Sequence, residues 1–433
     1  MRTEETYVST RSEATEAIQG LDDSTSDSVE RAAVLGGSPA VRRPFPRWPQ
    51  SGELEKRLLH EVVESGQWWR MTGSQVKAFE AAFAAHHGVR LAFAVTNGTH
   101  ALELALRALD IGPGDEVVIP SLTFVATAMA VFTMGARPIP VDVAPDTWCM
   151  SQEAMAEAFT PRTKAVIPVH FAGHMADMPA LTSVCEQHGI PVIEDAAHAH
   201  GASWEGRPAG SFGQMSGFSF QNFKLLTAGE GGMLLSTDEK LFDRSVLIAN
   251  CGRPVGDTRY EHSLLGSNYR MSEFQGAILN AQLTRLEDQG RMREHNAAYL
   301  GQRLGSIPGI HPQIRDARMT RHSYYMYVFT YDPAAFAGMD RATFVAALAA
   351  EGVPAFRMYP RVQDTTHFAP ALVRNGGEPR NLPPSPVSLD LADRGVWLHH
   401  RALLGGEEET EQIVSAIEKI RREARQIAKC PVH

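Results

Sequence analysis

An α/β fold is predicted, with a large domain on a mostly parallel sheet and a smaller C-terminal α+β domain. Three observations predict it. Short β-rich apolar runs follow one another in the first half: "DEVVIP", "RPIPVDV", "TKAVIPVHF" and "IPVIEDAAHAHGA". Helical stretches, "FVATAMAVFTMG" and "MPALTSVCEQHG", lie between several of them. Such alternation means a sheet covered by helices on both faces. The chain also has 433 residues, too many for one small core, so two or more domains are expected.

Residues 1–36 are rich in Ser, Thr, Glu and Asp and poor in large apolar groups. They bury too little surface to offset ordering entropy, which predicts a disordered leader. "VRRPFPRWPQ" (41–50) reads as an entry segment, because its prolines exclude a helix. From 54 to 87 the spacing is helical, with a break near "SGQWWRMTGS". "LAFAVTNGTHALELALRAL" (91–109) is an apolar run, a polar bend and a helix. The strand–helix alternation then runs to about 250. "MSEFQGAILNAQLTRLEDQGRMREHNAAYLGQRLGS" (271–306) predicts one long helix leading outward. Beyond about 310, "YYMYVFTY", "RATFVAALAAEG" and "EEETEQIVSAIEKIRREARQIAKC" predict the smaller α+β domain. The expected division is a leader at 1–36, a large domain with an N-terminal arm at 37–285 and a small domain at 286–433.

Apolar residues make up 43% and charged residues 21%, an ordinary globular mix. A net charge of -9 with no basic stripe argues against a nucleic-acid partner. No apolar run reaches membrane-spanning length, and the N-terminus lacks a signal-peptide core. Cys149, Cys185, Cys251 and Cys430 are widely spaced, which suggests free thiols in a reducing cytoplasm.

Three stretches carry chemistry. "TNGTH" (96–100) opens a helix, with Gly98 and Thr99 able to present backbone N–H groups to a phosphate. Its plainer reading is a helix cap with a glycine bend. In "VIEDAAHAH", Glu194 and Asp195 end an apolar strand. A buried carboxylate needs a cation, supplied either by a salt bridge or by a protonated pyridine nitrogen. "GFSFQNFKLLTAGEGGMLL" (217–235) sets Ser219 and a lone Lys224 on one strand before a glycine-rich turn. Lys224 is either a snorkelling surface lysine or a desolvated amine kept for carbonyl chemistry. His170, His174, His198 and His200 lack a complete metal-ligand spacing, so no metal is expected. Dinucleotide and P-loop glycine motifs are missing. Phosphate cradle, strand-end acid and buried lysine together imply pyridoxal 5'-phosphate.

At these residues the chain resembles the fold-type-I pyridoxal-phosphate enzymes of the sugar and cyclitol aminotransferase (DegT/StrS) class. "SGQWWRMTGSQVKAFE", "AVTNGTHALELAL", "EDAAHAHGA", "FSFQNFKLLTAGEGG", "GSNYRMSEF" and "VWLHHRALLG" carry the likeness over about 46–425. Within the class, the 3-amino-5-hydroxybenzoate (AHBA) synthase branch is most alike. The resemblance implies roles. Lys224 would carry the cofactor and shuttle protons, and Asp195 would pair with the pyridine nitrogen. Phe124 would lie against the ring, His198 near its phenolic oxygen, and Gly98, Thr99 and Ser219 on the phosphate. Asn268 would reach the phosphate of a neighbouring subunit, making a homodimer with shared sites.

The implied activity is transfer of an amino group to a cyclic polyhydroxy ketone in antibiotic biosynthesis, with glutamine or glutamate as donor. Dehydration and aromatisation of an aminodehydroshikimate is the alternative. A non-catalytic cofactor-binding partner subunit is the rival from another class, and retention of Lys224 counts against it. Phe223 stands where the AHBA branch favours glycine. "YYMYVF" and "VPAFRMYPRVQD" are more like the general aminotransferases and are expected to line the substrate pocket. Arg357, Tyr359, Arg361 and Arg401 are the substrate-side candidates, since planar arginine suits a carboxylate. Ordinary surface charge is the plainer reading of the arginines.

Overall fold

A computed structural model describes residues 31–429 of the chain. The expectations for 1–30 and for a free thiol at Cys430 lie outside the described residues. The other three cysteines are free, Cys149 and Cys185 being buried.

The large sheet grows from β1 (Leu91–Val95), β2 (Glu116–Pro120), β3 (Arg137–Val141), β4 (Thr163–Val166), β5 (Ile193–Asp195), β8 (Met215–Ser219) and β9 (Gly232–Ser236). One part has the order β3-β2-β4 and the other β5-β8-β9-β1. Single parallel bridges, Val166 to Val192 and Val169 to Asp195, join them. Only β9 runs antiparallel to its neighbours. β2, β8 and β9 are buried along their whole length, which explains their unbroken apolar character.

The covering helices are α1 (Glu53–Ser65), α2 (Gln75–His86), α3 (Gly98–Ala108), α4 (Ala126–Thr133), α5 (Gln152–Glu157), α6 (Met178–Gln187) and α7 (Glu239–Ala249). α3 starts where Asn97 caps it, its Oδ1 accepting the His100 N–H at 2.8 Å. A small hairpin pairs β6 (Ser203–Trp204) with β7 (Arg207–Pro208), and Trp204 is buried in the large core.

α8 (Glu273–Leu304) is the predicted long helix, with a capping box from Ser272 and Gln275. It runs unbroken through the expected domain boundary at 285/286. Leu279 and Leu286 sit in the large core, while Ala297, Leu300 and Leu304 sit in the small one. The small sheet has the order β10-β12-β14-β13, from β10 (Ile310–Pro312), β12 (Met326–Tyr331), β13 (Ala355–Arg357) and β14 (Gly395–His399). β11 (Met319–Arg321) instead pairs with β6 of the large domain. No helix among the described residues is long and apolar enough to cross a membrane.

The leader expectation is corrected at its end. Residues 31–36 are ordered, and Ala32 is fully buried in the small-domain core, as is most of Phe45. The tether is a carboxylate distant in sequence. Buried Glu351 accepts the Ala33 N–H at 2.7 Å and the Ala40 N–H at 2.6 Å, and meets Lys419 Nζ at 3.0 Å. Composition over 1–36 could not reveal that partner. Replacing Glu351 by Ala leaves two N–H groups without an acceptor and the buried Lys419 ammonium without its counter-ion, so we expect a loss of about 3 kcal/mol in urea unfolding. The exposed bond after Arg42 should become a site of rapid tryptic cleavage. Unchanged stability and cleavage would remove Glu351 as the tether.

Candidate active site

Parallel pairing sets Asp195 of β5 opposite Gly217 of β8. Both strands therefore deliver their next residues to the same edge of the sheet. Ser219 ends β8, and Lys224 follows in the turn rather than on the strand itself. α3 starts against this edge. A Cβ added to Gly98 would meet Ser219 Cβ at 2.7 Å, so only glycine lets the helix start so close. Leu102 and Ala101 pack on Gly217 in the same way.

The result is a cleft of about 690 Å³ between the two domains, of ordinary ligand-site size. Lys224, Asp195, His198, Phe124, Gly98, Thr99, Ser219 and Tyr359 all line it. Lys224 is only 9% exposed, and its Nζ lies 4.2 Å from the centre of the Tyr325 ring. Burial brings its pKa down from 10.5 to about 7, and the Asp195 carboxylate opposes that fall only in part. Near neutral pH the residue thus offers a neutral, nucleophilic amine for much of the time.

Asp195 is buried and oriented. Its Oδ2 accepts the Thr127 hydroxyl at 2.8 Å and its Oδ1 accepts the Ala197 N–H at 3.2 Å. Burial raises its pKa, and those donors with Lys224 work against the rise. Glu194, one residue earlier, points to the other side of the strand. It accepts the N–H groups of Gly210, Phe212 and Gly213 and pairs with His170 at 2.9 Å. Of the two strand-end acids, one holds a loop and one faces the cleft.

His198 stacks on Tyr325 with ring centres 4.2 Å apart. Burial, then the nearby Lys224, hold it neutral, far below the usual histidine range. Phe124 is 52% exposed at the mouth, 5.8 Å from Tyr359. The outer wall is aromatic: Phe356 of β13 stacks on its cross-strand partner Trp397 at 4.3 Å.

The substrate-side arginines do not line the cleft. Side chains alternate along β13, so Phe356 faces in and Arg357 faces out, exposed and beside Arg341. Arg361 is tied to Asp364 at 2.7 Å and to Ser385 at 3.2 Å. Arg401 sits in the short 3-10 turn His400–Leu403 and is not among the residues that line the cleft. Asn268 is exposed and outside its own chain's cleft. The expected stretches "YYMYVF" and "VPAFRMYPRVQD" do reach the cleft, through Tyr325, Phe356 and Tyr359. Sequence reading did not single out Thr127, Trp397 or His399, which lie in quoted stretches but carry no signal of their own.

Fold and cleft together define an α/β enzyme built around a buried amine that faces a buried carboxylate. The chain belongs to the DegT/DnrJ/EryC1/StrS aminotransferase family, whose pattern matches residues 49–418. It is similar to 3-amino-5-hydroxybenzoate synthase of Amycolatopsis mediterranei, 43% identical over 367 residues, covering 84% of this chain and 94% of that one. It is also similar to L-glutamine:2-deoxy-scyllo-inosose aminotransferase of Streptomyces fradiae, 38% identical over 423 residues, covering 92% of this chain and 100% of that one. The crystal structure of an AHBA synthase superposes with a TM-score of 0.81 at 41% identity, covering 88% of this chain and 99% of that one.

The lowered proton affinity of Lys224 carries a stability cost with a definite sign. The unfolded chain keeps this proton up to about pH 10.5 and the folded chain only to about 7. Stability from this residue therefore rises with pH across that window. Lys224→Met should stabilise the cofactor-free protein at pH 7 by up to about 4 kcal/mol, since each tenfold loss of proton affinity on folding costs about 1.4 kcal/mol. The gain should shrink at pH 9.5 and vanish near 10.5. Urea unfolding at the two pH values checks it; a gain independent of pH would mean the amine is not desolvated.

Proposed function

We propose that this chain is a pyridoxal-phosphate-dependent aminotransferase that installs an amino group on a cyclic polyhydroxy ketone. The ring is a ketocyclitol, ketosugar or shikimate-like ketone, the donor is glutamine or glutamate, and the setting is antibiotic biosynthesis in the cytoplasm. The observation that carries the reading is the buried Lys224 amine, with a pKa of about 7, in one cleft with Asp195.

The residues fit the cofactor. The α3 start at Gly98 and Thr99, with the Ser219 hydroxyl, suits a phosphate, and the missing side chain at 98 is what lets that helix start lie against Ser219. Asp195, short of a cation and held in place by Thr127, suits a protonated ring nitrogen. Phe124 suits the ring face, and neutral His198 suits the edge bearing the phenolic oxygen. Bound there, the group supplies a carbonyl for the incoming amine and a sink for electrons. Lys224 would hold the group and, whenever its amine is free, would take and return a proton at Nζ. The aromatic wall of Tyr359, Phe356 and Trp397 packs on the apolar faces of a ring and excludes water.

The similarity to inosose aminotransferases favours a cyclitol ketone. The greater identity to AHBA synthase favours a second reading, in which the same cleft dehydrates and aromatises an aminodehydroshikimate. Phe223, which lines the cleft, distinguishes this chain from the glycine expected in that branch. The protein acts as a homodimer, with Asn268 serving the neighbour's site; its exposure outside its own cleft supports this.

Two experiments test the reading. Wild-type protein with pyridoxal phosphate should show the visible absorbance of a lysine-bound cofactor and lose it on adding glutamine. Lys224→Ala should lack that band, and Asp195→Asn should keep it but turn over at least about a hundredfold more slowly. A yellow, active alanine variant would end the assignment. In the second, a panel of ketones is offered to the glutamine-treated form. Return of the band with an inosose but not with a shikimate-type ketone selects the first reading, and the reverse selects the second.

For the shared site, Asn268→Ala and Lys224→Ala subunits are mixed. Recovery of activity beyond the sum of the parents is expected, because one site of each hybrid holds both native residues. A strict sum argues against sharing.

A further inference from the structure

The turn that bears Lys224 leaves two carbonyls it cannot satisfy itself. Within it, the Lys224 N–H donates to the Gln221 carbonyl at 2.8 Å, and the Phe223 N–H donates to the Gln221 side-chain oxygen at 2.8 Å. The carbonyls of Asn222 and Phe223 face away from the turn. A carbonyl removed from water without a donor costs about 1–3 kcal/mol.

Both donors come from segments remote in sequence. Trp48 of the N-terminal arm donates its Nε1–H to the Asn222 carbonyl at 2.9 Å. His400 of the small domain lies 3.0 Å, through Nε2, from the Phe223 carbonyl. The two rings meet edge to face, with centres 4.5 Å apart. A carbonyl only accepts, so Nε2 of His400 carries the proton and donates. Burial, with His399 and Arg293 nearby, keeps the ring neutral and therefore in that one tautomer. Its other nitrogen, Nδ1, is buried with no hydrogen-bond partner among the described residues, so no competing bond turns the ring away.

The peptide between Phe223 and Lys224 is thus held at both polar ends: its oxygen by His400 and its N–H by Gln221. A planar peptide fixed at both ends sets the direction in which the Lys224 side chain leaves. That side chain has four methylenes and many rotamers, so its root decides whether the amine stays in the cleft.

We propose that Trp48 and His400 are positioning residues that clamp the 222–223 peptides and thereby hold the Lys224 amine dry, facing Asp195. The clamp deepens the reading of Lys224 as the working amine and rests on it. It joins three parts of the chain at one peptide: the arm, the β8–β9 turn and the small domain. Contact of the small domain with the arm at this peptide then sets the reactivity of the amine, although neither Trp48 nor His400 lines the cleft.

The test reads Lys224 directly in the cofactor-free full-length protein. Trace acetic anhydride labels amines, and mass spectrometry follows Lys224 against pH. In the wild type, the midpoint should lie at about 7. In His400→Leu and Trp48→Phe it should move up toward the ordinary 10.5 as the amine escapes to water. In the loaded enzyme the same variants should lower kcat by about ten- to a hundredfold with little change in KM for glutamine, as expected for a misplaced group. His400→Gln, whose amide N–H reaches the same distance, should restore the wild-type midpoint and most of kcat.

If His400→Leu folds and loses stability, yet Lys224 titrates as in the wild type, the clamp idea falls and the bonds are merely structural. If His400→Leu does not fold, Trp48→Phe decides by the same two readings. The labelling result stands whatever Lys224 does in catalysis. An active, yellow Lys224→Ala enzyme would therefore remove the functional reading without deciding the clamp.

Discussion

Asp195 faces Gly217 across the β5–β8 pair, so a carboxylate and the turn bearing an amine leave the sheet at one edge. Everything else in the site is arranged around that register. Slipping β8 by one residue would turn Ser219 to the other face and carry Lys224 out of line with Asp195. Glycines at 98 and 217 then let α3 settle directly on β8, bringing its N-terminus to the same edge. In an open α/β sheet this is where ligands gather, because strand ends and helix starts meet there without side chains to block them.

Keeping an amine and a carboxylate in one dry cleft strains both. Burial lowers the affinity of Lys224 for its proton and raises that of Asp195, and each only partly relieves the other. A cleft built for stability alone would hold neither group. The energetic cost is borne by the large apolar core beneath it, and the same desolvation lowers the proton affinity of the amine. The small domain completes the enclosure with Tyr325, Phe356, Tyr359 and Trp397, whose flat faces suit a ring more than an extended chain.

Much of the candidate cleft's lining was legible because its signals are local. "TNGTH" contains its own cap, "VIED" ends its own strand, and the lone lysine of "FQNFK" stands out in an apolar run. The division of labour between Glu194 and Asp195 was not legible. Adjacent strand residues face opposite ways, and only the assembled sheet reveals which side is the cleft. The same alternation separates Phe356 from Arg357. Arginine looked the better substrate ligand by chemistry, yet β13 turns it outward. The ordered end of the leader escaped notice for a different reason: its partner, Glu351, is more than three hundred residues away.

By itself, the sequence determined the α/β class, the order of strands and helices, the family, and the residue types that are candidates for carbonyl–amine chemistry. These depend on periodicity and on residue types a few positions apart, which the chain carries wherever it folds. Tertiary structure decided which of those residues meet. It selected Asp195 over Glu194 and Phe356 over Arg357, and it brought Trp48 and His400 to the peptide before Lys224. Such choices depend on sheet register, facing and burial, which arise only when segments hundreds of residues apart compete for the same interior space.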